Sequence, residues 1–274
     1  MLSRSLLLDG VSEIFIVTAR ITLVTFLISL YCFKEFFSEL NLSFFFKGCL
    51  TGFLAIFIPG WTFIYALKNI SSGLQSIFIS TIPLFTVFWV LLFFKEEKIT
   101  RIKLISVLIG LIGLVILFFS GETGLSKEGD LITGGLLALV GVQGLALSNI
   151  TNKKHLKYIP GKTYLLTQWL FGAGLSIILF FTLGGEIEIL SLSESLKLTG
   201  LAFIDIFNYS LFLYTIKRFS ATFTTLVDYI VPIVGILMGY IFLNEVISNV
   251  FFVTLLLIFI SLYLAVKDES DSLS

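Results

Sequence analysis

Apolar residues fill this chain in runs of about twenty, the length a helix needs to cross roughly 30 Å of hydrocarbon at about 1.5 Å of rise per residue. Short turns rich in charge, glycine, asparagine and serine separate the runs. The pattern predicts nine spans, near 14–33, 44–66, 71–94, 102–120, 131–152, 162–183, 196–216, 221–243 and 248–267. The linkers between them are too short to hold a soluble domain, and the closing DESDSLS reads as a disordered tail. Composition agrees with the pattern: 274 residues, 57% hydrophobic and 13% charged, carry more apolar surface than a soluble domain of this length can bury. The fold class expected is an all-α membrane protein, a polytopic helical bundle.

Charge sets the direction of the spans. Lys34, Lys47, Lys95, Lys98, Arg101, Lys103, Lys153, Lys154, Lys157, Lys162, Lys217, Arg218 and Lys267 fall on one side of the nine-span map. Only Arg4, Lys68, Lys127 and Lys197 fall on the other. The positive-inside rule makes the first side cytoplasmic, so the C-terminus is expected inside and the N-terminus outside. The acidic stretch GGEIEILSLSESLK then faces out. The opening MLSRSLLLDGVSEIF has no signal-peptide run ahead of the first span.

Cys32 and Cys49 lie at the cytoplasmic ends of neighbouring spans, without CxxC spacing or a histidine cluster. Neither a metal site nor a structural disulfide is expected from them. His155, the one histidine, sits in the basic stretch KKHLKYIPGK and is expected to be solvated. No soluble-type catalytic motif is present, no cofactor is expected, and nucleic acid is not an expected partner.

The chain repeats itself. A shift of 149 residues sets Tyr65 on Tyr214, Lys68 on Lys217, Ser71 on Ser220, Pro83 on Pro232 and Glu96 on Glu245. The ordered set points to an internal duplication. Five spans separate the two copies, an odd number, so the second copy runs the other way across the membrane. The domains expected are a first repeat over 1–120 with four helices and a second over 121–274 with five, inverted with respect to one another. Inverted repeats are the architecture of secondary transporters.

The same residues resemble a known family. Pro83-Leu84-Phe85 running to Glu96/Glu97-Lys98-Ile99-Thr100, and Pro232 running to Glu245-Val246-Ile247-Ser248, resemble the proline-to-glutamate signature that ends the fourth and ninth helices of EamA-type members of the drug/metabolite transporter superfamily. YALKNISS and YTIKRFSA resemble the helix-to-helix turns that precede it. The resemblance covers nearly the whole chain and implies ten helices, five per repeat. Here the first of those ten has no counterpart, either because the start is placed late or because nine helices is a natural variant. The glutamates that close the signature read as surface or loop acids with a structural role.

Three charges lie within spans: Arg20, Asp205 and Asp228. Charges there are costly and line cavities or pair with something. Asp205 and Asp228 fall near mid-bilayer on adjacent antiparallel helices. Their first-repeat counterparts are Ile56 and Ile79, so the frame itself does not require an acid at either place. One reading has them binding a cationic or amine group or titrating as a proton site. The other has each satisfied by neighbouring hydroxyls. Arg20 either snorkels outward or faces a cavity; it matches an arginine common at the start of the family's second helix. Trp61, Tyr65, Gln75, Asn208 and Tyr229 complete the candidate substrate-binding set. Gln143, Gln168, Asn149, Trp169 and Tyr209 offer similar groups, with interhelical packing as the plainer role for all of these.

The function expected is a permease or exporter of a small metabolite such as an amino acid, in the cytoplasmic membrane, and not an enzyme. A small-molecule substrate and the bilayer are the expected partners, and a homodimer is compatible with the sequence. A non-transporting, degenerate carrier and a membrane-embedded enzyme are the alternatives.

Overall fold

The computed structural model describes residues 1–39, 41–93, 100–126, 129–218 and 231–273. Every regular element among them is helical. In chain order these are α1 (Leu2–Leu8), α2 (Glu13–Glu39), α3 (Leu42–Gly52), a π-helical turn (Phe53–Phe57), α4 (Ile58–Asn69), α5 (Ser72–Ile79), α6 (Ile82–Phe93), α7 (Arg101–Ser120), α8 (Leu131–His155), α9 (Gly161–Thr182), α10 (Leu192–Arg218), α11 (Val231–Leu243) and α12 (Asn249–Leu273). Six helical stretches among the described residues are long and apolar enough to cross a membrane: 13–39, 42–69, 72–90, 131–155, 161–182 and 192–218. Shorter apolar helices, Leu104–Ser120, Val231–Leu243 and Asn249–Leu264, stand where the other three spans are expected. The protein is a polytopic all-α membrane protein.

Two spans are interrupted at proline. Pro59 has no N–H to offer the carbonyl four residues back, and the turn ahead of it widens: Ile58 N–H reaches Phe53 O. Pro83 likewise leaves the carbonyl of Ile79 without its helical donor, and α5 stops there. Within the break the Ser80 and Thr81 hydroxyls bond back to Ile77 O at 2.7 Å and Phe78 O at 2.6 Å, and both residues are fully buried. The predicted span 71–94 is therefore two half-helices rather than one rod.

Other boundaries also differ from the sequence reading. The helix expected at 196 begins at Leu192, because Ser191 and Glu194 close a capping box: Ser191 N–H donates to Glu194 Oε2 at 2.6 Å and Glu194 N–H to Ser191 Oγ at 3.3 Å. Helix α1 precedes the first predicted span and packs on α10 and α2, with Leu6 fully buried. An ion pair between Lys197 and Asp9, and a 2.9 Å bond from Ser12 N–H to Glu188 Oε1, fix that end. The expected tail does not begin at 268, since α12 continues to Leu273. Glu245, expected among the surface or loop acids, is buried at 7% exposure. The landmarks Glu96, Glu97 and Ser220 lie outside the described residues.

The chain divides into two compact units, and each takes helices from both halves of the sequence. The first holds residues 65–150 and 221–274 with Met1. Within it α5 packs on α11, and α7 on α12. Gly110 lets α7 close in, since a methyl group there would lie 2.9 Å from Ser261 Oγ, which itself donates to Ser106 O at 2.6 Å. The second unit holds residues 2–64 and 151–220. Its centre is α9, against which α2 and α3 pack, and α10 packs on α2. Gly48 and Gly52, four apart on α3, face Thr167 and Gln168 with no room for a side chain, and Gly172 faces Ile56 in the same way. This is close packing of helices through small residues. Cys32 and Cys49, both in this unit, are buried free thiols.

Candidate functional site

The second unit carries charge at the middle of a span. Asp205 sits thirteen residues from each end of α10, and Arg20 about two turns inside the start of α2. Neither carboxylate nor guanidinium is tolerable alone in hydrocarbon, and here they meet. Arg20 Nε donates to Asp205 Oδ2 at 2.5 Å and Nη2 to Oδ1 at 2.6 Å, a two-pronged pair. The side chains stay 30% and 16% exposed, so the pair is only partly closed off.

A polar and aromatic layer continues from it. Tyr209, one turn along α10 from Asp205, donates to Gln168 Oε1, and Gln168 Nε2 donates to Asn152 Oδ1 at 3.1 Å. Trp169 stands edge-on to the Tyr209 ring with centroids 5.8 Å apart, and Phe212 stacks on that ring at 6.0 Å. The Trp169 backbone is held by Thr25, whose hydroxyl lies 3.1 Å from Trp169 O and 2.8 Å from Ile21 O. Beyond Gln168 the network reaches Tyr164, which donates to Thr51 Oγ1 at 2.8 Å, and His155, whose Nδ1 lies 3.1 Å from Tyr164 Oη. His155 is thus tied to a fully buried tyrosine at the end of α8 rather than solvated as expected. Gly52 of α3 lies directly against the backbone of Gln168, a closeness made possible by the absent Cβ.

Buried polar groups in native proteins are nearly always paired, so the exceptions carry information. In this unit Trp169 Nε1, Asn152 Nδ2 and Thr18 Oγ1 are buried without a hydrogen-bond partner. Trp169 and Thr18 are 5% and 8% exposed. Two of the three are pure donors, which suits a ligand that brings acceptor oxygens.

The candidate residues from sequence fall as follows. Arg20 and Asp205 are brought together. Trp61, in the same unit, is engaged elsewhere: its Nε1 donates to Ser176 Oγ at 3.0 Å. Asn208 is exposed on the face of α10 that also exposes Phe203, Ile204, Phe207 and Leu211. Tyr65 and Gln75 belong to the first unit, where Gln75 is 8% exposed and its Oε1 has no partner. Asp228 and Tyr229 lie outside the described residues. Sequence reasoning passed over Asn152, Tyr164 and Thr51, and it noted Gln168, Trp169 and Tyr209 without singling them out. Among the described residues no group of three or more His, Cys, Asp or Glu assembles that could hold a metal ion.

The model of the EamA-like transporter family matches residues 1–119 and again 132–267. The chain belongs to the EamA-like transporter family. A curated relative from Clostridium kluyveri, described as an uncharacterized transporter, is 28% identical over 200 residues, a stretch that covers 72% of this chain and 64% of the relative. The chain therefore spans less than two thirds of that relative's length. A solved structure titled "Crystal structure of protein" superposes on this EamA-like chain with a TM-score of 0.64 at 18% identity, over 96% of this chain and 93% of the other. That likeness is one of fold.

Proposed function

We propose that this chain is a secondary carrier that moves a small zwitterionic metabolite, of the amino-acid type, across the cytoplasmic membrane as an exporter or exchanger. The observation that carries the reading is the Arg20–Asp205 pair at the centre of α10, partly exposed and set in the same layer as Trp169, whose Nε1 has no partner. A charge in the bilayer interior is expensive unless compensated. Opposite charges side by side satisfy each other in the empty carrier. A zwitterion carries the same two charges in complementary order, so its carboxylate can take the guanidinium while its ammonium takes Asp205. The free Trp169 N–H supports the carboxylate oxygen. Exchanging one charge-assisted contact for two keeps every buried charge paired throughout binding.

Family membership favours transport over an enzymatic role. With Asp205 neutralised by Arg20, Asp228 is the carboxylate we assign to proton coupling. Tyr65 and Gln75 are proposed as substrate-binding residues of the first unit, and Tyr229 is kept as a candidate from the sequence. The excess of basic residues on one side of the map supports a cytoplasmic C-terminus. The two repeats, 1–120 and 121–274, are proposed to be related by inversion, as their shared landmarks and odd span count suggest.

The test is exchange in proteoliposomes loaded with labelled amino acids. Counterflow of at least one amino acid is expected, lost on Arg20→Gln, and competed by zwitterions but not by the matching amines or carboxylic acids alone. Competition by the amine alone, or wild-type flux in Arg20→Gln, overturns the zwitterion reading.

A further inference from the structure

The first unit holds a buried carboxylate that the proposed transport site does not use. Glu245 follows α11, where Asn244 adopts a left-handed φ of 51° and folds the chain back, with Glu245 N–H donating to Gly239 O at 3.2 Å. The side chain reaches the start of α5. Ser72 N–H donates to Oε1 at 2.8 Å, and Gly73 N–H and Ser72 Oγ donate to Oε2 at 3.1 and 2.9 Å. Leu74 N–H goes to Ser71 Oγ at 3.0 Å, so the first three amide donors of α5 are all satisfied, two of them by Glu245. A carboxylate is also the group that the partial positive charge of a helix N-terminus favours.

The surrounding residues are shaped to this contact. A Cβ at Gly239 would overlap Glu245 Oε2 and lie 3.1 Å from Ser72 Oγ, while one at Gly73 would lie 3.1 Å from Ile236 Cα. The 121–126 turn closes over the top: Ser71 N–H donates to Thr123 O and Val246 N–H to Gly124 O, each at 2.9 Å. Helix α5 is only eight residues long and is cut off from α6 at Ser80–Thr81, so its own ladder does little to hold it. It carries Gln75 one turn from the clamp, with Oε1 buried and unpaired.

We propose that Glu245 is a positioning residue for transport: it clamps the half-helix α5 from its N-terminus and thereby fixes Gln75, whose free carbonyl oxygen accepts a hydrogen bond from the substrate. The second part of this rests on the carrier reading; the clamp itself does not. All three groups bonded to Glu245 present hydrogens to it, so an amide in its place sets its NH2 against donors.

Hydrogen exchange on the full-length purified protein tests the clamp without transport. Glu245→Gln is expected to speed exchange over residues 72–75 by about tenfold, the loss of one charge-assisted bond, and to leave α9 unchanged. Unchanged exchange at 72–75 overturns the clamp. Counterflow tests the positioning. The half-saturation concentration for substrate should rise in Glu245→Gln, and the rise should vanish in a Gln75→Met background. A rise of equal size in that background overturns it. Should Glu245→Gln fail to fold, Ser72→Ala, which removes one donor of the three, is expected to move both readouts in the same direction by a smaller factor, and no movement in either counts against the proposal. A wild-type protein without flux but with the expected exchange pattern would defeat the carrier reading and leave the clamp standing.

Discussion

Arg20 and Asp205 meet through two hydrogen bonds, Nε to Oδ2 at 2.5 Å and Nη2 to Oδ1 at 2.6 Å, across 185 residues of sequence. The contact ties α2 to α10.

Removing one partner strands the other. Asp205→Asn or Arg20→Gln is expected to destabilise the protein toward the lower end of about 3–5 kcal/mol, since both groups keep some exposure. Replacing both by apolar residues, Arg20→Met with Asp205→Leu, is expected to recover melting temperature and membrane abundance while transport stays lost. Melting curves of the purified variants beside counterflow measurements check this; a single variant as stable as the parent removes the pair from the stability argument.

Trp169 and Tyr209 should respond oppositely to loss of a donor. Tyr209→Phe leaves Gln168 Oε1 without its donor and is expected to cost about 1–3 kcal/mol. Trp169→Phe removes an N–H that has no partner in the empty protein, so stability should hold while substrate affinity falls. Thermal shifts with and without substrate separate the two effects.

Close packing of α3 on α9 predicts a contrast between two glycines of the same unit. A Cβ at Gly52 would sit 2.8 Å from Gln168 Cα, and Gly52→Ala is expected to cost about 1–3 kcal/mol through overpacking. Gly174 has open space at the same position, and Gly174→Ala should be neutral or slightly stabilising. Equal melting temperatures for the two variants would count against the close contact.

Much of this molecule is legible in its sequence because hydrocarbon demands it. Runs such as 131–152 and 162–183 must be helices, and they are. Arg20 and Asp205 were each visible as charges that need an answer, but their meeting was not: the obvious partner for Asp205 in sequence was Asp228, 23 residues on, while its actual partner lies in another helix 185 residues away. Periodicity reports which residues are apolar, not which helices are neighbours. Asn152 and Tyr164 were passed over for a related reason. They flank a basic turn, and polarity there reads as solvent exposure until a packed α9 shows both buried. Pro59 and Pro83 are visible in the sequence as prolines inside spans, each freeing a backbone carbonyl. One break widens into a π turn, with Ile58 N–H reaching Phe53 O, and the other divides a span, with the Ser80 and Thr81 hydroxyls bonding back to Ile77 O and Phe78 O.

Asp130 offers a pH-dependent prediction outside the spans. It caps α8, accepting from the Thr133 hydroxyl at 2.5 Å and from the Thr133 and Ile132 amides. These bonds, the hydroxyl's first, hold its carboxyl below the usual 3.8. A carboxyl depressed in the folded state stabilises fully above its ordinary value and loses that contribution as pH falls through the folded one. Asp130→Ala should therefore melt lower than the parent at neutral pH, with the gap closing in acid below pH 3.8. A gap that persists unchanged in acid would show that the cap works without its charge.

The clamp at Glu245 also bears on how such a chain can be inherited. The start of α5 lies within the first 120 residues, and the carboxylate that completes it is encoded more than 120 residues later. A gene cut between the two would produce a first fragment with two bare amides at a buried helix start and a second with an acid that has lost its donors. Fusion into one reading frame keeps the two ends of that contact together in every copy, whatever happens to the residues that meet the cargo.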